Sequence, residues 1–165
     1  MFPRGAAGDL DLLREIGLKV FNAADVGWVE AMRRHLGRRA GQAANLVDKL
    51  LPVPPQCASA ERFGELIHIP KSMLQMGRNG PRRFVLPTVT RAKLRAGLRR
   101  AQETGGIFHL WFHPSNFYFR RDEQFATLDW FLEYAANESS HGRITICTMG
   151  SYTRETAAVA PERAA

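Results

Sequence analysis

A polar segment directly after the most apolar run of the chain holds the strongest candidates for chemistry. Residues 107–112 read Ile-Phe-His-Leu-Trp-Phe, and His113-Pro114-Ser115-Asn116-Phe117 follows them. In α/β proteins, functional groups collect where buried strands end. A histidine placed there can give or take a proton near neutral pH, and Pro114 would fix the direction of its ring. His113 is the best single candidate for a general acid or base; the alternative is a structural histidine bonded to a nearby carbonyl group.

Other chemical sites find little support in the sequence. If His109 and His113 share one strand, they are separated by about 13 Å, too far to hold one metal ion. His35, His68 and His141 have no acidic or histidine neighbour at ligand spacing, and we interpret them as structural. The sequence therefore predicts no metal ligands in this chain.

Two common functional motifs are missing or incomplete in the sequence. No Gly-x-Ser-x-Gly elbow is present, although a Ser/His/Asp triad stays possible. The stretch Gly77-Arg78-Asn79-Gly80 lacks the Gly-Lys-Ser/Thr ending of a phosphate loop. Neither motif therefore indicates a function for this chain.

Apolar periodicity and Gly/Pro punctuation predict alternating helices and strands. The predicted helices cover residues 9–17, 28–51 with interruptions at Gly37 and Gly41, 89–103, and a segment capped by Asp122. The last of these helices is predicted to face the core through Phe125, Leu128, Leu132 and Ala135. The predicted strands cover residues 18–21, 66–69, 107–112 and 144–147, with a long, potentially functional loop over 71–83. This order predicts an α/β fold with mainly parallel strands.

Length and composition favour one domain with its own core. The chain has 165 residues, of which 45% are hydrophobic. Cys57 and Cys147 have no paired framework and are expected to be unpaired thiols. We find no secretory signal and no apolar stretch of the roughly 20 residues that a membrane helix needs, so we predict a cytoplasmic protein without a membrane partner.

The net charge of +7 raises nucleic acid as a partner. However, the basic residues recur at helical spacing, as at Arg91, Arg95 and Arg99, opposite Leu94 and Leu98. This pattern is typical of a solvated helix face. No nucleic-acid-binding motif is present, and we consider nucleic acid an unlikely partner.

Several segments together resemble the closing part of the polysaccharide deacetylase superfamily, whose domain is called the NodB homology domain. The segments are Gly106 to Phe117, Leu128 to Leu132 and Gly142 to Met149. Leu66 to Met73 resembles an "IP-x-SM" segment of some members, and Phe2-Pro3-Arg4 resembles a strand-end "FPR" segment. The resemblance covers nearly the whole chain in the expected order, and its Trp-Phe-His-Pro segment is the most specific part.

The resemblance implies a distorted (β/α) barrel that deacetylates N-acetylated sugars with a divalent metal, often zinc. It implies that His113 is the general acid toward the leaving amine and that Arg4 holds the catalytic aspartate. Trp111 stands where the family usually has a leucine that lines the acetyl pocket, and we place Asn116 with it among the substrate-binding residues. Residues 1–150 would form the partial barrel domain, and residues 151–165 a flexible tail.

The family's Thr-Phe-Asp-Asp-Gly and His-x-x-x-His segments do not occur here. A complete (β/α) barrel typically needs about 250 residues, so the chain corresponds to the carboxyl-terminal part of one. Without those ligands, no cofactor is expected in this chain and it should be inactive alone. The N-acetylated glycan would become a substrate only when the missing half is supplied.

Two alternatives stay open. The chain could be a non-catalytic module with a sugar-binding groove, in which Trp28, Trp111 and Phe117 stack on sugar rings. It could also belong to another class altogether, including basic nucleic-acid-binding proteins.

Overall fold

Helices and short strands alternate in the computed structural model, which describes residues 10–22 and 28–156. The helices are α1 Leu10–Glu15, α2 Trp28–Leu50, α3 Pro87–Thr104, α4 Arg121–Ser140 and α5 Met149–Thr156. The strands are β1 Val20–Phe21, β2 Glu61–Phe63, β3 Leu66–His68, β4 Met73–Leu74 and β5 Leu110–Trp111. Two 3-10 helices span Gly80–Phe84 and Pro114–Phe117. The predicted α/β class is confirmed for these residues.

The strands form two small sheets in which parallel pairs prevail. In the first sheet β3 lies in the centre, parallel to β1 and antiparallel to β2. The second sheet is the parallel pair of β4 and β5, with Leu74 opposite Trp111. These sheets do not close into a barrel within the residues that the structure describes.

The first sheet is covered by α1. Leu13 packs with Phe21 and Leu66, which are buried. Gly17 has φ of 78°, a left-handed conformation that glycine adopts readily, and it ends the helix one turn before β1. The predicted apolar face was too wide, because Leu12 and Ile16 are exposed.

A break at Gly37 divides α2 into two helical parts. Gly37 has φ of 85° and ψ of 178°, which no α-helix contains. The predicted interruption at this glycine is confirmed. Gly41 lies inside the helix and its Cα faces Arg33 so closely that an added Cβ would lie 2.6 Å from the Arg33 Cβ.

A second core forms between β4, α3 and α4. Its buried members are Met73, Leu94, Leu98, Phe131 and Ala135. Pro87 occupies the first turn of α3, where a missing N–H is harmless, and Gly105 ends the helix with φ of 65°. The predicted helix over 89–103 is therefore confirmed, and it supports the strand pair that carries the candidate site.

Helix α4 turns a different face inward than predicted. Its buried residues are Gln124, Thr127, Phe131 and Ala135. Phe125 is 44% and Leu132 54% exposed, so these two assignments were wrong. Asp122 lies in the first turn, whereas the N-cap position belongs to Arg120.

Three predicted segments differ from the structure. Residues 107–112 contain only the two-residue strand β5, and Phe112 is 44% exposed, so they are not a strand buried on both faces. Residues 144–147 pair with no strand among the described residues. The predicted loop over 71–83 includes β4, which forms only because β5 lies beside it.

Helix α5, the last described helix, packs against the first sheet. Met149 and Tyr152 contact a cluster of Ala60, Ile67 and Ile69. Helix α5 continues through residues 151–156, which the sequence had placed in a flexible tail. Among the described residues, no helix combines the length and apolar character needed to cross a membrane.

Candidate functional site

The carboxyl ends of β4 and β5 meet at one edge of their sheet. Ser72 fixes their register: its hydroxyl donates to the Ile107 carbonyl oxygen at 3.1 Å and accepts from the His109 N–H at 3.0 Å. Beyond β4, the Gln75 N–H donates to the Trp111 carbonyl oxygen at 2.9 Å. His113 lies two residues after the end of β5 and therefore stands near this edge.

His113 and Asn116 hold each other across the 3-10 turn Pro114–Phe117. The His113 N–H donates to Asn116 Oδ1 at 2.9 Å. In return, the Asn116 N–H donates to the His113 backbone carbonyl oxygen at 2.9 Å. The His113 ring is exposed beside this turn, and the two predicted residues belong to one unit.

Trp111 lies beside His113, with ring centroids 5.3 Å apart and an edge-to-face angle of 77°. The Lys71 ammonium lies 4.6 Å from the Trp111 ring centroid. Trp111 Nε1 is buried and has no hydrogen-bond partner in residues 10–22 and 28–156. Lys71 thus occupies one face of the indole, which limits the ring surface that a sugar could stack on.

Gln124 is a site-supporting residue that the sequence analysis missed. Its side chain is fully buried, and its Nε2 donates to the carbonyl oxygens of Asn116 and Phe119 at 2.7 Å each. Gln75 Nε2 donates to Gln124 Oε1 at 3.5 Å, which links the turn to the end of β4. A glutamine in the first turn of a helix carries no pattern that predicts this role.

Aromatic side chains surround the turn that carries His113. Phe117 is buried, stacks on Phe125 with centroids 4.7 Å apart, and meets Phe112 edge to face at 5.2 Å. Tyr118 and Phe119 follow the turn and are 81% and 46% exposed. The site therefore combines an exposed imidazole with an exposed aromatic surface.

The remaining predicted residues do not join this group. Arg4 lies outside the described residues, and so does the side chain of Trp28, whose backbone begins α2. His109 Nδ1 lies 3.3 Å from the Pro70 carbonyl oxygen. The site is thus assembled from His113, Asn116 and Trp111 with support from Gln124.

The described residues do not fit the divalent metal that the resemblance implies. No three His, Cys, Asp or Glu side chains lie together in residues 10–22 and 28–156. Near the turn, the His113 imidazole is a single ligand, and His109 Nδ1 faces the Pro70 carbonyl oxygen. The described residues alone would therefore not hold a divalent metal.

Both cysteines are unpaired, as predicted. Burial raises the pKa of the Cys57 thiol, which donates to the Gly97 carbonyl oxygen at 3.2 Å. Burial likewise raises the pKa of Cys147. A raised pKa reduces the thiolate fraction at neutral pH, so neither residue has the character of a nucleophile.

Comparison of the chain with family models, curated proteins and solved structures found no match.

Proposed function

We propose that this chain is the acid-bearing, carboxyl-terminal part of a metal-dependent deacetylase acting on N-acetylated sugars. In this proposal it is inactive alone, because the family's metal-binding and base segments have no counterpart in the sequence. In the proposal, the catalytic base and the metal ligands come from a segment that lies outside this sequence. The distorted barrel is part of the same proposal and would be completed by that segment.

The observation that carries the proposal is the geometry of His113. Its ring is exposed near the carboxyl end of a parallel strand pair and lies edge to face beside Trp111. An exposed imidazolium in such a place can give a proton to a leaving amine. The resemblance assigns the same role to the same residue.

Two further residues fit the proposed reaction. Asn116 holds the backbone of His113 through its side chain and its own N–H. Trp111 forms the wall next to the ring, where the resemblance places the acetyl pocket. Arg4 keeps its proposed role of holding the aspartate base, which would come from the missing segment.

The first test is to read the DNA immediately upstream of the Met1 codon in all three forward frames. The proposal expects a Thr-Phe-Asp-Asp-Gly and a His-x-x-x-His there. If they are present, the joined protein should release acetate from a chitin oligosaccharide in a zinc-dependent way, while the present chain alone should not.

In that joined protein, His113→Ala should lower kcat by about 100-fold or more, the range for losing a general acid. His35→Ala, an exposed histidine of α2, is the matched control and should keep wild-type turnover. Wild-type turnover in His113→Ala would refute the assignment of His113 as the general acid.

A second candidate function is a non-catalytic sugar-binding module. The exposed aromatic surface at the turn favours it, since aromatic faces stack on sugar rings; Tyr118 is 81% exposed. Chitin oligosaccharides should then bind without turnover, and Tyr118→Ala should weaken binding. Phe84→Ala, which removes a 65% exposed ring from the other 3-10 helix, should not. Absence of glycan binding by the wild-type chain would exclude this candidate.

A further inference from the structure

A concave pocket lies beside β4 and is bounded by the end of α2, the 3-10 helix Gly80–Phe84 and α3. Four cationic side chains line it, each from a different element or loop: Lys49, Arg78, Arg82 and Lys93. None of the lining residues is acidic in the part of the chain that the structure describes. The wall of the pocket thus carries positive charge on several sides.

Two carboxylates behind this wall balance only part of the charge. Asp48 Oδ2 lies 3.1 Å from both Lys49 Nζ and Lys93 Nζ, so one carboxylate serves two ammonium groups. Arg78 Nη1 lies 3.3 Å from Glu123 Oε1. Arg82 forms no ion pair with any described residue. Four cations therefore stand against two carboxylates, which leaves the site with a net charge of two positive.

Arg78 adds an independent sign of a missing acceptor. Its side chain is only 5% exposed, and the buried Nη1 forms an ion pair with Glu123 at 3.3 Å but has no acceptor in good hydrogen-bond geometry among the described residues. Nη2 reaches the hydroxyl of Thr90, another pocket residue, at a long 3.5 Å. A buried guanidinium N–H without an acceptor costs free energy that a bound oxygen atom would recover.

We propose that this pocket binds a phosphate dianion, either free or as the monoester of a small molecule. Arg78 Nη1 and the Thr90 hydroxyl would donate to its oxygens, while Lys49 and Arg82 would balance its charge at the mouth. A guanidinium fork matches the spacing of phosphate oxygens. Apolar Met73 and Val85 in the wall suit the organic part of a monoester.

The pKa directions agree with this occupant. Burial lowers the pKa of Lys93 and of Arg78, and in each case the neighbouring carboxylate offsets the effect only in part. A dianion in the pocket would oppose this lowering of both pKa values. The site is unlike a phosphate loop, whose donors come from one Gly-rich turn, because here the donors come from separate elements. It does not depend on the deacetylase proposal.

The test is isothermal titration calorimetry of the whole chain with inorganic phosphate and, in a second arm, with glucose 6-phosphate, both at low ionic strength. Saturable binding at one site is expected with at least one of them. Binding by phosphate alone would assign the free ion, and tighter binding of the ester would assign a phosphorylated small molecule.

Arg82→Gln should weaken the observed binding at least about tenfold, the range for losing one guanidinium from a phosphate site. Arg83→Gln is the matched control: it has the same charge change on the same 3-10 helix, but Arg83 lies over the Phe84 ring outside the pocket. Arg82 is exposed, so its variant should fold. Absence of binding by the wild-type chain, or equal losses in both variants, would overturn the proposal.

Discussion

Asp48 shows how one carboxylate can stabilise two buried or half-buried cations. Lys93, whose side chain is 4% exposed, depends on it for its charge partner and also donates to its backbone carbonyl oxygen. Burial raises the pKa of Asp48, but Lys49 and Lys93 outweigh this effect and hold the pKa below the ordinary value of 3.8. The ion pairs of Asp48 with Lys49 and Lys93 therefore stabilise the fold locally, and this stabilisation depends on pH.

Asp48→Asn should destabilise the fold by about 3 kcal/mol, because it leaves the Lys93 ammonium buried without a counter-charge. Urea unfolding followed by circular dichroism measures the change. Asp122→Asn is the matched control, since the Asp122 side chain is 96% exposed beside Arg121 and its loss should cost little. Equal effects of the two substitutions would contradict the assigned role of Asp48.

The ion pairs of Asp48 also predict how the free energy of unfolding changes with pH. The folded-state pKa of Asp48 is lowered, so its stabilising contribution is complete above about pH 4 and is lost as the pH falls through that lowered pKa. In Asp48→Asn this part of the acid destabilisation should be missing. Urea midpoints measured from pH 5 to pH 2 test it, and parallel curves for the two proteins would refute it.

Gln124 is the residue on which the geometry of the candidate site most depends. Gln124→Met keeps the volume but leaves the carbonyl oxygens of Asn116 and Phe119 without their donors. We expect a loss of about 1–3 kcal/mol, the range for unsatisfied buried groups, together with faster amide exchange in residues 114–119. Gln102→Met, at an exposed position of α3, is the control. Unchanged exchange in the turn would contradict this role.

At the scale of elements, the sequence predicted the long helices better than the strands. Helix α3 begins at proline and ends at a left-handed glycine, signals that are local and therefore readable. Strand β4 has two residues and exists through its register with β5, which no local pattern contains. Residues 144–147 have the composition of a strand but no partner strand among the described residues, so propensity alone misled.

The sequence analysis predicted the inward face of α4 and the candidate site only in part. The reason is again that the decisive contacts are not visible in a local sequence pattern. Gln124 and Thr127 are buried because their side chains bond to carbonyl oxygens, Thr127 to that of Glu123 at 2.9 Å. Hydrophobic periodicity cannot recognise polar residues that are satisfied in this way. The sequence located His113 and Asn116 at a strand end, whereas the reciprocal bonds between them required the three-dimensional turn.

The packing of α3 against the segment before β5 makes a prediction at the same scale. Gly97 lies under the Phe108 ring, and a Cβ there would lie 2.3 Å from Phe108 Cε2. Gly97→Ala should therefore destabilise the fold by about 1–3 kcal/mol, although alanine favours a helix. Thermal or urea unfolding measures this loss. In a Phe108→Leu background the cost should shrink, and an undiminished cost would show that the ring is not responsible.

At the scale of the whole molecule, many of the basic side chains that give the excess positive charge are engaged in separate local interactions. Arg78 and Lys93 are buried in ion pairs. Arg91 and Arg95 lie over the Trp130 ring, each at 5.3 Å, and Trp130 itself stacks on Tyr134. Arginine and lysine side chains engaged in these contacts cannot also form one continuous basic surface along the phosphate backbone of a nucleic acid.

This distribution predicts weak and salt-sensitive binding to nucleic acid despite the net charge of +7. The chain should leave a double-stranded DNA column below about 0.2 M NaCl, because non-specific affinity falls steeply with salt. Arg38→Gln with Arg39→Gln removes two exposed cations of α2 and should lower the elution point only slightly. Retention at 0.5 M NaCl, or retention that depends on the DNA sequence, would mean that the basic residues form a true binding surface and would favour the nucleic-acid alternative over the deacetylase proposal.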